Sequence, residues 1–259
     1  MNELTELNKK KILRLALYAG EIMLKNGAET YRVEDTIIRI CKSKRLKHVS
    51  AFVTPTVIMV SDDRFDGFSF IKTIRSRKTD LNKISLINDF SRDFVNSSMD
   101  IETGLRELKK IEKATIYSIS TKVIWSGIAS AMFALLFGGS LYDFVGAFLI
   151  SMLAMVVSDK LNQLSETSFL ANAAAGVIIG VVSIIFKYLI APANIDMIIV
   201  GSIMPLLPGV GLTNGIRDFI SGDLISGLSR VSEAMLVAVS IAVGVGTSLS
   251  IWINIGGTL

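Results

Sequence analysis

Cysteine and histidine each occur once in the 259 residues, as Cys41 and His48. A single cysteine excludes an internal disulfide and a Cys-rich zinc site. A single histidine excludes a histidine metal cluster and leaves any Ser-His triad dependent on His48. No phosphate loop, dinucleotide fingerprint or nucleophile elbow occurs, so ATP-driven work by this chain is not expected, and neither a metal nor another cofactor is called for. The first residues, Met1 to Arg14, are charged and lack an apolar core segment, so no signal peptide is expected.

Charge is the next scarcity, and it is one-sided. Residues 123–259 hold 4 Lys/Arg and 7 Asp/Glu, net −3, whereas residues 1–122 hold 23 and 16, net +7. Glycine divides the other way, 4 up to Lys122 and 16 from Val123 onward. This division excludes a single soluble domain, a disordered chain, a collagen-like fibre and a disulfide scaffold. What remains is a polar domain, residues 1–118, joined to a membrane domain, residues 119–259. The surplus positive charge sits in the polar half, where basic residues facing the cytoplasm beside a membrane account for it without a nucleic-acid partner.

In the polar half, Ile12, Leu15, Ala16, Ala19, Ile22 and Met23 share one face of a helix over Lys9 to Lys25, which Asn26-Gly27 ends. Thr30 is the expected N-cap of a second helix, with Glu34 and Asp35 near its positive end and Val33, Ile37, Ile40 and Cys41 as its buried stripe. The period changes at His48. Val49 to Val60, interrupted at Thr54-Pro55, and Phe68 to Arg75 read as the two strands of a hairpin, with Ser61 to Gly67 as turn material ending in Asp66-Gly67. Two more helices follow, one carrying Ile84, Ile87, Phe90 and Phe94, the other Ile101, Leu105, Leu108 and Ile111. The expected order is ααββαα.

Five apolar segments make up the second half, approximately Val123–Gly139, Leu141–Ser158, Phe169–Ile190, Ile195–Leu212 and Val231–Ile253. A spanning helix needs about 20 apolar residues, and five such segments are hard to bury without lipid. The expectation is a polytopic α-helical membrane protein with about five transmembrane helices, preceded by a small cytoplasmic α/β domain. With that domain inside the cell, Lys160, Arg217 and Arg230 fall in cytoplasmic loops, while the outer loops Gly138–Leu141 and Ala191–Asn194 carry no basic residue. Lys187 is the exception, near an outer helix end where its stem can snorkel. Gly176-x-x-x-Gly180, with Ala171 and Ala175, offers a small-residue face for close helix packing.

Residues with chemical potential concentrate between Pro205 and Glu233. Two prolines and three glycines between Pro205 and Gly215 argue against an uninterrupted helix. A broken membrane helix frees backbone groups that must line a cavity or be buried in protein, and transporters use such breaks to hold solutes. Asn214, Arg217, Pro208 and Gly209 are the candidate solute-binding residues, Arg217 as a clamp for a carboxylate. Asp218, Asp223 and Glu233 are the candidate proton carriers. The bland alternative is a kinked helix leading into a loop, with Arg230 and Glu233 a simple i,i+3 pair. Asp143 and Asp196 read as interfacial residues. In the polar half, Glu29, Arg32 and Glu34 lie at a helix–turn–helix junction, where a structural Glu29–Arg32 pair is the plainer reading.

Taken together, Asn26-Gly27-Ala28-Glu29-Thr30-x-Arg32-x-Glu34, Thr54-Pro55-Thr56, and Leu207-Pro208-Gly209 followed by Asn214, Arg217-Asp218, Gly222-Asp223, Ser226-Gly227, Arg230 and Glu233-Ala234 resemble the threonine/serine exporter (ThrE-like) family. The resemblance covers essentially the whole chain. It implies a secondary-active exporter of small polar metabolites in the cytoplasmic membrane of a prokaryote, not an enzyme. Longer members carry this unit and a second membrane module in one polypeptide. Stopping after five helices, this chain is similar to the larger subunit of the split type associated with succinate export, which works with a separate small membrane subunit. An odd helix count would invert a following similar module, a common plan for alternating access.

The expected activity is proton-coupled export of carboxylate-bearing solutes of the threonine/serine class, with a succinate or dicarboxylate exporter subunit as the alternative. The residues do not separate the two. A membrane receptor or scaffold with a ligand-binding cytoplasmic domain is the rival of another class. A membrane enzyme using carboxylate chemistry at Glu29 and Glu34 is the weakest.

Overall fold

The computed structural model describes residues 6–63, 67–114, 117–164 and 168–257. The chain divides into two compact units, one of residues 1–116 with 210–231, the other of residues 117–209 with 232–259.

The first unit opens with helices α1 (Glu6–Lys25) and α2 (Thr30–Ser43), continues through strands β1 (Val49–Thr54), β2 (Val57–Asp62) and β3 (Ser69–Thr73), and returns to helices α3 (Leu81–Asn96) and α4 (Ile101–Lys113). The α1 and α2 stripes are buried as their spacing predicts, and they meet Val53, Ile58, Val60, Ile87 and Phe94 in one core. Gly27 adopts φ +91°, the left-handed conformation that stops α1.

The sheet is a correction. It is antiparallel in the order β1-β2-β3, with three strands where the sequence reading expects two. The interruption at Thr54-Pro55 is itself a tight turn, because Thr54 pairs directly with Val57. Proline has no N–H for a ladder and its fixed φ suits a turn, and the Thr54 hydroxyl accepts from Val57 N at 3.2 Å. Asp66, half of the expected Asp66-Gly67 turn, lies outside the described residues.

The second unit contains α5 (Ile119–Leu136), α6 (Leu141–Leu164), α7 (Ser168–Leu189) and α8 (Ile195–Ile203), with a 3₁₀ turn at Met204–Leu206. It also holds the larger part of α10 (Leu224–Asn254). Among the described residues four helices are long and apolar enough to cross a membrane, or five if the bent pair Ile195–Leu206 and α9 (Gly209–Ile220) makes one span. The expected fourth span, Ile195–Leu212, is thus broken at Leu207-Pro208. Lys160, Arg217 and Arg230 stand in helices α6, α9 and α10 rather than in loops.

The small-residue face of α7 packs on α10. A methyl group at Gly176 would lie 2.6 Å from the Ile241 carbonyl oxygen, and one at Gly244 would overlap the Ala173 carbonyl oxygen. The Ser248 hydroxyl donates to the Val177 carbonyl at 3.2 Å across the same seam. Asp143, buried, accepts from Ser140 N at 2.6 Å and from Asn194 N at 2.5 Å, joining the α5–α6 turn to the start of α8. Lys187 folds its ammonium onto the Ala191 and Ala193 carbonyls, each at 2.8 Å, near the negative end of α7.

Candidate functional site

Two polar junctions of the first unit meet: the α1–α2 turn and the α9–α10 hairpin. Helix α10 begins after Ser221-Gly222-Asp223, where Gly222 takes φ +89°. Asp223 Oδ1 accepts from Ser226 N, capping α10. The two helices touch through glycine, since a methyl at Gly227 would lie 2.9 Å from the Gly215 carbonyl oxygen. That approach places Asn214, Asp218 and Arg230 together on the inner side of the hairpin.

The α1–α2 turn supplies the partners. Asn214 donates to the Gly27 carbonyl at 2.9 Å and Arg230 to the Ala28 carbonyl at 2.6 Å. These are carbonyls of the turn between α1 and α2, outside the hydrogen-bond ladder of either helix. Glu29, not Thr30, occupies the N-cap position of α2, and its side chain makes no capping bond. Its carboxylate accepts instead from Arg217, 188 residues away, and from Arg32 at 3.2 Å. Thr30, expected as a cap, sends its buried hydroxyl to Asp223 at 2.8 Å and Asp218 at 3.1 Å. A hydroxyl has one hydrogen to give. The two contacts are therefore satisfied by sharing it or by a proton resident on one carboxyl.

Asp218 is fully buried, and its Oδ2 lies 2.9 Å from Arg230 Nε. The two atoms are not aligned as a hydrogen bond, so the contact is an ion pair. Burial pushes the Glu29 carboxyl up, but its own backbone N–H, Arg217 and Arg32 outweigh that and hold it below the usual carboxylate range. Glu34 behaves oppositely. Burial raises it, the Val53 N–H that it accepts at 2.9 Å only partly offsets this, and the charge of Asp223 adds to the rise.

A cavity of about 410 Å³ opens beside the Glu29–Arg217 pair, lined by Glu29, Arg32, Ser85, Asn88, Asn214 and Arg217 among others. Arg217 remains half exposed, with its side chain at 57%. The arrangement offers two guanidinium groups, one already-engaged carboxylate, two side-chain amides and a hydroxyl in a space suited to a small polar solute. Among the described residues no three His, Cys, Asp or Glu side chains are placed to hold a metal ion.

Of the residues singled out from the sequence, Asn214, Arg217, Asp218, Asp223, Glu29 and Arg32 come together here. Glu34 borders the group, near enough to feel the charge of Asp223, and ties α2 to β1. Pro208, Gly209 and Glu233 belong to the other unit. Sequence reasoning passed over Thr30 and Arg230 as site members although both stand in the quoted motifs. Ser85 and Asn88 carried no signal, being ordinary polar positions on the amphipathic helix α3.

A family model described as "Putative threonine/serine exporter" matches residues 14–252. The chain is 23% identical to a "Probable threonine/serine exporter" of Mycobacterium tuberculosis over 94% of its own length and 47% of that protein. It is 22% identical to a "Probable succinate transporter subunit YjjP" of Klebsiella aerogenes, over 94% of this chain and 95% of that one. A protein of the same description from Escherichia coli is 23% identical over 94% and 96%. The chain thus spans about half the length of the mycobacterial relative and nearly all of the other two. No solved structure matches.

Proposed function

From the premise that the chain belongs to the threonine/serine exporter family, we propose that it is a secondary-active exporter, or exporter subunit, of small carboxylate-bearing metabolites. The observation that carries this reading is the cavity beside Arg217. A solute carboxylate entering it exchanges with Glu29 at the Arg217 guanidinium, while Arg32 keeps Glu29 paired. One carboxylate replaces another, so no charge is left uncompensated during the exchange. Asn214, Asn88 and Ser85 provide hydrogen-bonding groups for the rest of the solute.

Export against a gradient needs an energy source, and proton antiport through Asp218 and Asp223 on the shared Thr30 hydroxyl is the simplest. Glu233 is not among the groups at this site. The threonine/serine class is the first solute choice and succinate the alternative, since both present a carboxylate. The description of the Klebsiella aerogenes and Escherichia coli relatives as subunits supports a second subunit as partner, read here as a small membrane protein. The charge distribution and apolar helices support a multi-pass chain in the cell membrane with its N-terminal domain cytoplasmic. Most of the cavity lining comes from that N-terminal domain, which keeps the receptor reading as the competitor.

The test is release of labelled threonine, serine and succinate from proteoliposomes under an imposed pH gradient, with and without a co-purified small membrane protein. Arg217→Ala is expected to lose at least ten-fold in flux with assembly intact, and Asp223→Asn to lose the dependence on the pH gradient. Wild-type flux from Arg217→Ala removes the cavity from the path. Solute binding without flux in either preparation favours the receptor.

A further inference from the structure

The α9–α10 hairpin has a second face. Leu212, Ile216 and Ile220 recur every four residues along α9, and Leu224, Ile225 and Leu228 occupy one side of the first turns of α10. These six side chains are between 41% and 83% exposed. At 100° per residue they lie opposite Asn214 and Asp218 on α9 and opposite Ser226 and Arg230 on α10, the buried positions of each helix. The hairpin is therefore polar where it meets the N-terminal domain and aliphatic where it faces away from it, apart from Thr213, whose hydroxyl is returned to the Val210 carbonyl at 3.1 Å.

We propose that this outer face is seated in the bilayer, at the boundary of headgroups and acyl chains, so that the hairpin anchors the N-terminal unit on the membrane. Three observations choose lipid as the occupant. Both helices belong to segments apolar and long enough for a membrane, α9 as part of the bent pair and α10 by itself. Helix α10 has 31 residues, or roughly 46 Å, against a hydrocarbon core of about 30 Å, which leaves its first turns for the boundary layer. The six residues are all Leu or Ile, side chains whose transfer into the membrane is favourable, with no methionine or hydrogen-bonding group among them. Arg217 flanks this face and reaches Glu29 on the domain side. The inference depends on the membrane character of the chain and not on any solute.

Spin labels at Ile220, Ile225 and Leu228 in the full-length, liposome-reconstituted Cys41→Ala protein test it. Cys41 is fully buried, with a thiol pushed up by burial to about 12, so its removal serves only to exclude stray labelling. Collision rates with dissolved oxygen and with a water-soluble nickel chelate are compared with those at Leu149 and Val181, which are exposed on α6 and α7, and at Lys109 on α4. The expected result at all three sites is an oxygen-to-nickel relaxation ratio between those at Leu149 and Lys109, as a boundary position requires. A ratio equal to that at Leu149 overturns the boundary position by placing the face in the acyl core. Nickel-dominated relaxation, as at Lys109, overturns the proposal by showing an aqueous hairpin. Low rates with both reagents overturn it as well, because protein then covers the face. No solute enters the readout, so a failed transport reading leaves it intact.

Discussion

Removing either member of the Asp218–Arg230 pair is the perturbation whose size the structure bounds best. Their side chains are 0% and 7% exposed and the charged atoms lie 2.9 Å apart. In Arg230→Met, Asp218 keeps the Thr30 hydroxyl at 3.1 Å and the Thr30 backbone N–H but loses its counter-charge. In Asp218→Leu, Arg230 keeps the Ala28 carbonyl at 2.6 Å, a dipole in place of a charge. Stranding a buried charge costs about 3–5 kcal/mol, so each single variant should fall by that amount. For a chain of this size that corresponds to roughly 6–20 °C in Tm. The double variant Asp218→Leu/Arg230→Met strands nothing and replaces the pair by apolar side chains. It is expected within about 2 kcal/mol of the parent, and above both singles. The assay is a thermal scan of purified protein in one detergent, followed by loss of the monodisperse gel-filtration peak. Singles that each cost under about 1 kcal/mol, or a double equal to their sum, would refute the interdependence of a buried pair.

Two further outcomes follow from other parts of the structure. A side chain at Gly244 collides with the Ala173 carbonyl and cannot move away from backbone, so Gly244→Val should cost more than about 2 kcal/mol. Gly246→Val, where nothing lies within 4 Å of the added carbon, is the control, and equal stability of the two variants in the same scan would remove the α7–α10 seam. Because the Glu29 carboxyl is held below its ordinary value in the folded chain, its ionisation contributes stability that is present above that ordinary value and lost as pH falls through the lower folded one. Glu29→Gln should therefore show a shallower loss of stability on acidification. Parallel acid titrations of parent and variant, followed by helical circular dichroism, decide it.

Local pattern reached far in this chain. The α1 and α2 stripes, the apolar character of the second half, the small-residue face of α7 and the break around Pro205–Pro208 were all legible. Each depends on residues within a few turns of one another, where a period of 3.6, a missing N–H or a missing side chain acts directly on the backbone. The third strand was missed for a local reason too, since Pro55 marks a turn between two strands as readily as a defect in one.

The sequence by itself determined the division into a charged and an apolar part, the family, and a short roster of polar residues worth attention. It held the local Glu29–Arg32 pair but no information on which residues distant in the chain pair with one another. That Glu29 meets Arg217 across 188 residues, that Asp218 takes Arg230, and that residues 210–231 group with the N-terminal segment were decided by tertiary structure alone. An ion pair or shared hydroxyl depends on a few ångströms of separation and on exclusion of water, and these exist only once helices distant in sequence have packed. The same holds for the outward face of α9 and α10. Its aliphatic residues look like part of any apolar helix until the inner face is seen to be occupied, and only then does the outer one require lipid.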